Sequence, residues 1–341
     1  MKNLRIYFIL TVALSFAFQC AAEKIGWKSL PAEVRKTAHP HFAKITHVEK
    51  RNENNVTTYK INGGKNGKPA EMELDPNGKI IYAREERTLS DLPAVAQETL
   101  KNLVGAKLGK VVKATDDGEI SFDVEVTKGG RIHSLEFDDE GILSRDEVEI
   151  TFKEIPVPAQ KTIVAELGNG KIISLTKVME GDEVSYEIEA NKNDRPINFE
   201  VAADGDLLGY AIALGDVPIA IQETIKQNLA GGKLEQIDKT SEDGEIYYDV
   251  EISHGSKGIS LSIFAEGTLV SKEEELTLAE MPAAVQKSIQ EKAFGKKITS
   301  LRRTTENEQT FYQIEVTKSG KDETLQLSAD GNIFKPKSDQ P

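Results

Sequence analysis

Five prolines stand at nearly even intervals along the chain, and that periodicity restricts the fold more than any other feature. Pro31, Pro93, Pro156, Pro218 and Pro282 each follow an apolar residue, at spacings of 62, 63, 62 and 64. An aromatic recurs with them: Tyr59, Phe122, Tyr186, Tyr248 and Tyr312. A glycine lies 19 residues after each aromatic, at Gly78, Gly141, Gly205, Gly267 and Gly331, and a lysine 15 before it, at Lys44, Lys107, Lys171, Lys233 and Lys297. Spacings that hold five times over are the signature of a repeat. For 341 residues, domain size alone suggests two or three domains; the marks replace that with five units of one design.

Each unit reads as a helix followed by strands. Apolar residues fall 3, 7 and 11 positions after the proline, as in Ala159, Ile163 and Leu167 or Ile221, Ile225 and Leu229, which makes one helical face. Proline is tolerated in a first turn, where its missing N–H has no partner to lose. Ser29, Asp91, Glu154, Asp216 and Glu280 stand two residues before the prolines, suited to the positive end of the helix. Gly105, Gly168, Gly231 and Gly295 suit its C-terminal end; the first unit ends its helix through His39-Pro40-His41-Phe42 instead. The lysine that follows sits where a cation favours the helix C-terminus. After it, two apolar positions three apart break strand parity, so the first is assigned to the helix–strand junction and only the rest to a strand.

Tyr186 to Ala190 and Ile197 to Val201 alternate apolar with polar residues, the pattern of half-buried strands with one wet face. Acid-glycine turns such as Asp75-Pro76-Asn77-Gly78 and Asp138-Asp139-Glu140-Gly141 then mark hairpins. The expected fold is α+β: five tandem repeats, each one helix followed by an antiparallel sheet of about four strands. Their bounds are 23–88, 89–152, 153–214, 215–276 and 277–341, the last with a short tail. Units of about 60 residues are marginal alone, so neighbours are expected to pack, by sheet edges or helix faces, with the terminal units as caps.

The helix-opening proline, the Lys-apolar start of the next strand, the aromatic-x-apolar-Glu strand and the Asp-Gly hairpin resemble PepSY-like repeats, grouped with β-lactamase-inhibitor-like proteins. The resemblance spans residues 27–337. It implies a secreted or periplasmic binding module, whose open sheet face in the best-known members grips a partner enzyme. No inhibitory loop residue carries over, and the cystine loops of the known β-lactamase inhibitor cannot form here. The first unit also departs, with Asn62-Gly63 where the others have Glu125, Glu189, Glu251 and Glu315.

Residues 1–22 carry Lys2 and Arg5, an apolar run from Ile6 to Phe18, and Gln19-Cys20-Ala21-Ala22. This is the layout of a secretory signal peptide with cleavage after Ala22, and the run is short for a spanning helix. Lipid attachment at Cys20 is the weaker reading, because Gln19 fits that signal poorly. Cleavage removes the one cysteine and two cations, taking the net charge from −13 to −15, and leaves no transmembrane segment. Charge is uneven: the five units carry +4, −7, −5, −8 and +1. The acidic balance argues against nucleic acid as a partner, suits a solvated exterior, and leaves the first unit as a candidate dock for anionic envelope polymer.

No catalytic constellation stands out, so the chain is expected not to be an enzyme and to need no cofactor. His39, His41 and His47 are the residues that would hold a metal, but they flank a helix end rather than form a His-Glu-x-x-His pair. His254-Gly255-Ser256-Lys257-Gly258 lies between strands, outside the strand-to-helix setting of a nucleophile elbow. Asp138-Asp139-Glu140-Gly141 lacks the remainder of a calcium loop. Trp27, the single tryptophan, reads as a cap on the first core ahead of a partner anchor. The expected function is an exported, non-enzymatic protein-binding protein, with a secreted or periplasmic hydrolase or peptidase as the partner class to be inhibited or modulated. The alternative is a structural or cell-envelope spacer. The partner-contact candidates are Trp27, Glu125, Glu189, Glu251 and Glu315.

Overall fold

The computed structural model describes residues 22–53, 56–255, 257–306, 309–318 and 321–334. The expected export segment up to residue 21, with Cys20, and Ser256 lie outside the described residues; Ala22, the expected cleavage position, is the first of them. Among the described residues there are five α-helices and twenty strands, an α+β architecture. The chain divides into two compact units, one taking in residues up to Pro156 with Ile172–Ile188, the other Val157–Lys171 with Glu189 onward.

In the first unit, strand β1 (Glu23–Lys24) precedes helix α1 (Ala32–Ala38), which is followed by β2 (Lys44–Glu53), β3 (Val56–Lys65), β4 (Lys68–Leu74) and β5 (Ile80–Arg87). Helix α2 (Ala94–Asn102) is followed by β6 (Lys107–Asp116), β7 (Glu119–Lys128), β8 (Arg131–Asp138) and β9 (Leu143–Glu149), then β10 (Lys171–Glu180). Strands β1 to β10 pair antiparallel in sequence order. Strand β11 (Glu183–Lys192) crosses the division.

The second unit holds α3 (Val157–Leu167), β12 (Arg195–Ala202), β13 (Leu207–Ala211), α4 (Ile219–Asn228), β14 (Lys233–Glu242), β15 (Glu245–His254), β16 (Lys257–Phe264) and β17 (Leu269–Glu275). Helix α5 (Ala283–Lys292), β18 (Lys297–Glu306), β19 (Gln309–Lys318) and β20 (Lys321–Leu327) complete it. Strands β12 to β20 again pair antiparallel in order.

Within each unit, then, a helix-plus-strands element joins the next by sheet edges. Tyr82 to Arg87 of β5 run against Asp116 to Val111 of β6, and Ser271 to Glu275 of β17 against Glu306 to Arg302 of β18. The backbone groups of each outgoing edge are thereby paired rather than left as a template for aggregation. Strand β1 covers the free edge of β2 through Glu23↔Lys50 and Lys24↔Glu49. After α5, only three strands and an isolated bridge, Leu327↔Ile333, are described, one strand short of the expected four.

The apolar spacing buries one face of each helix on the sheet. Val34 and Ala38 meet Ile61, Met72 and Leu74; Ala96 meets Val124, Leu135 and Phe137. Ile221 and Ile225 meet Val250, Leu261 and Ile263; Val285 and Ile289 meet Ile314 and Leu327. Each fully buried large side chain contributes about 1.5–3 kcal/mol. The repeated aromatics Tyr59, Phe122, Tyr248 and Tyr312 belong to these cores.

Four local expectations are corrected. The strands begin at the lysine and include both apolar positions, because a bulge absorbs the parity break: register shifts between Ile45 and His47, Leu108 and Val111, Leu234 and Gln236, and Ile298 and Ser300. An extra residue on one strand lets Leu234 and Ile237 both turn toward the helix. Pro31, Pro93, Pro218 and Pro282 lie at the N-cap, with φ between −52° and −54° and extended ψ, not in the first turn. The acids before them close a preceding 3-10 turn instead: Asp91, Glu154 and Glu280 form capping boxes with Thr88, Thr151 and Thr277. The lysines found on helix-end carbonyls are Lys65 on Pro40 O (2.8 Å) and Lys192 on Glu166 O (2.5 Å), from the ends of β3 and β11, whereas Lys233, from the expected position, pairs with Glu235 at 2.7 Å.

Candidate functional site

Strand alternation separates two faces. Phe122, Val124 and Val126 of β7 turn toward α2, so Ser121, Asp123 and Glu125 turn the other way. The helix side is tied down by the repeated glycines. A Cβ on Gly141 would lie 2.8 Å from Ala96 N, and one on Gly267 2.7 Å from Ala220 Cβ. Their φ values are +88° and +94°, so the hairpin both turns through and touches the helix at a residue that only glycine suits. A hydroxyl from the helix then bonds the glycine carbonyl: Thr162 to Gly205 (2.5 Å), Thr224 to Gly267 (2.6 Å) and Ser288 to Gly331 (2.7 Å). These hydroxyls stand six residues after Pro156, Pro218 and Pro282, a periodicity whose meaning depends on the hairpin that meets the helix there.

The helix-free face is charged. Beside β2–β4, Glu49 accepts from His47 Nε2 (2.9 Å) and Arg51 Nε (2.6 Å), and Lys60 pairs with Glu71 at 2.7 Å. The His47 bond, with Arg51, holds the Glu49 carboxyl below its usual range. Further along, Arg84 pairs with Asp123, and Arg145 pairs with Glu147 and Glu187, each at 2.5 Å, and with Glu180. Burial raises the carboxyls of Asp123 and Glu136, and the Asp123 charge adds to the rise at Glu136.

The face of β14–β17 differs. Asp238 lies directly across from Asp249, and Gln236 from Glu251. Gln236 Nε2 donates to Asp238 Oδ2 (2.5 Å), Thr240 to Asp249 (2.9 Å) and Ser260 to Glu251 (3.1 Å). Burial pushes all three carboxyls up, and like charge from Asp249 reinforces it at Asp238 and Glu251. Tyr247 and Phe264 adjoin on the same face with ring centroids 5.1 Å apart.

The candidates from sequence are distributed as follows. Glu125 faces Ser134 in register, Glu251 faces Ser260, and Glu315 faces Thr324 and lies 3.5 Å from Arg302, all on the helix-free side. Glu189 holds the equivalent place on β11. Trp27 sits in a 3-10 turn and packs, partly buried, on the first core. In place of the missing glutamate, the Asn62-Gly63 departure makes room: a Cβ on Gly63 would lie 2.9 Å from Phe42, which closes the first helix. His41 Nδ1 bonds Glu85 and His47 Nε2 bonds Glu49, each at 2.9 Å, while His39 belongs to the 3-10 turn after α1. Among the described residues, no group of three or more His, Cys, Asp or Glu is placed to hold a metal ion. Asp138 Oδ1 is occupied by the N–H groups of Glu140 and Ile142, which makes it a turn cap. No helix among the described residues is long and apolar enough to cross a membrane.

No curated protein sequence matches the chain. Among solved structures, a BLIP-like protein from Bacteroides fragilis shares 18% identity, over 35% of this chain and 84% of that one, with a TM-score of 0.30. A DUF2874-family protein from Bacteroides ovatus gives 16%, 35%, 85% and 0.30, and a protein from Bacteroides eggerthii described as periplasmic gives 20%, 35%, 86% and 0.29. The family described as "beta-lactamase-inhibitor-like, PepSY-like" matches residues 17–82, 120–208, 205–271 and 247–335. These segments cover most of the sequence, and the chain belongs to the PepSY-like family of β-lactamase-inhibitor-like proteins.

Proposed function

We propose that this chain is an exported, non-enzymatic binding protein made of five PepSY-like repeats with bounds near 23–88, 89–152, 153–214, 215–276 and 277–341. The helix-free sheet face of one or other unit holds another protein, with a secreted or periplasmic hydrolase or peptidase as the expected class. The observation that carries this reading is the character of these faces, each taken by itself. In the first unit the face bears the partly desolvated carboxylates Asp123 and Glu136, and in the second it bears Asp249 and Glu251 together with the Tyr247–Phe264 pair. A face serving solubility alone gains nothing from half-burying its charges, whereas aromatic and charged groups on a rigid sheet suit recognition. Family membership and an export-type amino terminus agree with it.

The test is capture from periplasm or culture supernatant with the tagged chain. One stoichiometric partner is expected, lost when Glu125→Lys, Glu251→Lys and Glu315→Lys are combined and retained when Glu98→Lys on the outside of α2 is made. Retention by the triple variant overturns the assignment to this face. A spacer role is the second reading, favoured by the strand pairing that joins successive elements within each unit. Salt-sensitive sedimentation with purified envelope, without a protein partner, supports it.

A further inference from the structure

Two polar residues are fully buried among the described residues, Asp238 at 6% and Thr304 at 4% exposure, and each leaves an oxygen, Oδ1 and Oγ1, without a hydrogen-bond partner. Thr304 lies across from Phe311, which stacks on Phe334 at 4.4 Å. Asp238 has no such apolar cover in register. Its cross-strand neighbours are Asp249 on one side and Ala211 on the other, and Glu251 stands one position along the same face as Asp249.

A buried carboxylate oxygen without a donor is costly, and like charges beside it add to the cost. The usual remedy is an arginine or lysine, and elsewhere on the helix-free face it is present: Arg51 at Glu49, Arg84 at Asp123, Arg145 at Glu147 and Glu187. Around Asp238 it is not. The inner lysines of β14–β17 are engaged elsewhere, Lys239 with Glu166 at 2.6 Å, Lys272 with Glu274 at 3.1 Å, and Lys257 with Glu280, and His254, across from Lys257 at the end of β15, belongs to the other face. Lys233, at the outer end of β14, is held by Glu235 at 2.7 Å. Inward of Lys233, the described residues of this face on β14–β16 include Gln236, Asp238, Thr240, Asp249 and Glu251 and no Lys, Arg or His; the nearest shown cation is Arg302 of β18, which lies 3.8 Å from Glu273 on β17. Tyr247, two residues from Asp249 on the same strand face, adds an aromatic ring to the acidic patch.

We propose that the helix-free face of β14–β17 is a dock for a basic side chain presented by a protein partner, seated against Asp249 and Glu251 beside Asp238, with its stem along Tyr247. This rests on the binding role proposed above and supplies the chemistry of the partner. A guanidinium fits best, since its planar fork can serve two carboxylates and lie on an aromatic face. Its arrival supplies the positive charge that the patch lacks and offsets the mutual repulsion of Asp238, Asp249 and Glu251.

The experiment uses the full chain and a peptide amide of alternating glycine and arginine, followed by calorimetry and by amide chemical shifts. Saturable binding is expected, with shifts on β14–β16, and Asp249→Asn combined with Glu251→Gln weakens it about tenfold or more, the effect of losing one or two charge-assisted hydrogen bonds. Removing three acids from another hairpin, through Asp138→Asn, Asp139→Asn and Glu140→Gln, leaves the affinity unchanged. Equal weakening by both sets means general charge attraction and overturns the proposal. Unchanged binding in Asp249→Asn/Glu251→Gln, or no saturable binding, also overturns it. Thermal melts of each variant establish folding, and Glu251→Gln alone serves if the double variant fails to fold. In partner capture, loss with Glu125→Lys and Glu315→Lys but not with Asp249→Asn/Glu251→Gln overturns this dock and leaves the binding role standing. Retention in all face variants overturns the role itself.

Discussion

Arg131 and Glu154 form a two-pronged pair, Nη1 to Oε1 at 2.7 Å and Nη2 to Oε2 at 2.9 Å, that ties the first residue of β8 to the 3-10 turn leading into the next helix. The same relationship, also 23 residues apart, recurs at Lys257 and Glu280; Arg195 and Asp216, 21 residues apart in sequence, approach more loosely at 3.7 Å. Asp91 is held low chiefly by its bonds to Thr88, and the charge of Lys68, 23 residues before it, contributes. One residue thus closes a capping box and receives a cation from the strand layer of the preceding element.

This doubled use makes an acid-sensitive joint. The Arg131 bond, then the Thr151 bonds, lower the Glu154 carboxyl from 4.5 to about 2, and Lys257 with Thr277 does the same for Glu280. A carboxyl depressed on folding contributes stability that is present above its unfolded value and lost as pH falls through its folded value. Thermal unfolding followed from pH 5 to pH 2 is therefore expected to show a decline between about 4.5 and about 2. Glu154→Gln with Glu280→Gln flattens that decline; an unchanged slope would falsify the assignment.

The repeated glycines carry two constraints that substitution can separate. Gly244 has φ +81° with open space around its missing Cβ, whereas Gly267 has φ +94° and Ala220 Cβ 2.7 Å away. Gly244→Ala is expected to cost about 1 kcal/mol from backbone strain alone. Gly267→Ala adds overpacking and costs about 3 kcal/mol. Urea unfolding of the two variants measures the difference, and equal losses would show that the hairpin–helix contact is slack.

Lys239 on β14 and Glu166 on α3 meet at 2.6 Å, each side chain only 15% exposed. Lys239→Met strands a carboxylate in a half-buried place and is expected to lower stability by about 3 kcal/mol. Adding Glu166→Leu restores most of the loss, because the stranded charge goes with it. Additive losses in the double-mutant cycle would mean that the two charges act independently.

Thr304 offers the opposite case. Its hydroxyl is buried without a partner, so Thr304→Val exchanges an unsatisfied group for a methyl of nearly the same shape. A gain of about 1 kcal/mol is expected in chemical denaturation. A loss would reveal a donor or acceptor serving that oxygen in solution.

The helices, the hairpin turns and the apolar face of each strand were legible because they depend on local periodicity: Ile221 and Ile225 announce a buried helix face wherever that helix lies. The bulges were half legible. The parity break at Leu108 and Val111 was plain, but whether it meant a junction or an extra residue depends on the opposing strand, where Val126 and Val124 decide it. The interaction candidates on strand faces, Glu125, Glu251 and Glu315, followed from alternation, and Asp238 did not, because its side chain is made unusual by what lies across from it.

The sequence by itself determined the recurring helix-and-strand element, the glycines at its turns and the absence of cysteine after Cys20, since each rests on residue type and short-range spacing. Tertiary structure alone decided that successive elements join edge to edge within each unit, that Glu154 serves Arg131 as well as its own turn, and that Asp238 faces Asp249 without a cation. Those outcomes depend on register between strands, and register is settled by the simultaneous fit of two apolar faces and a helix, which no single segment carries.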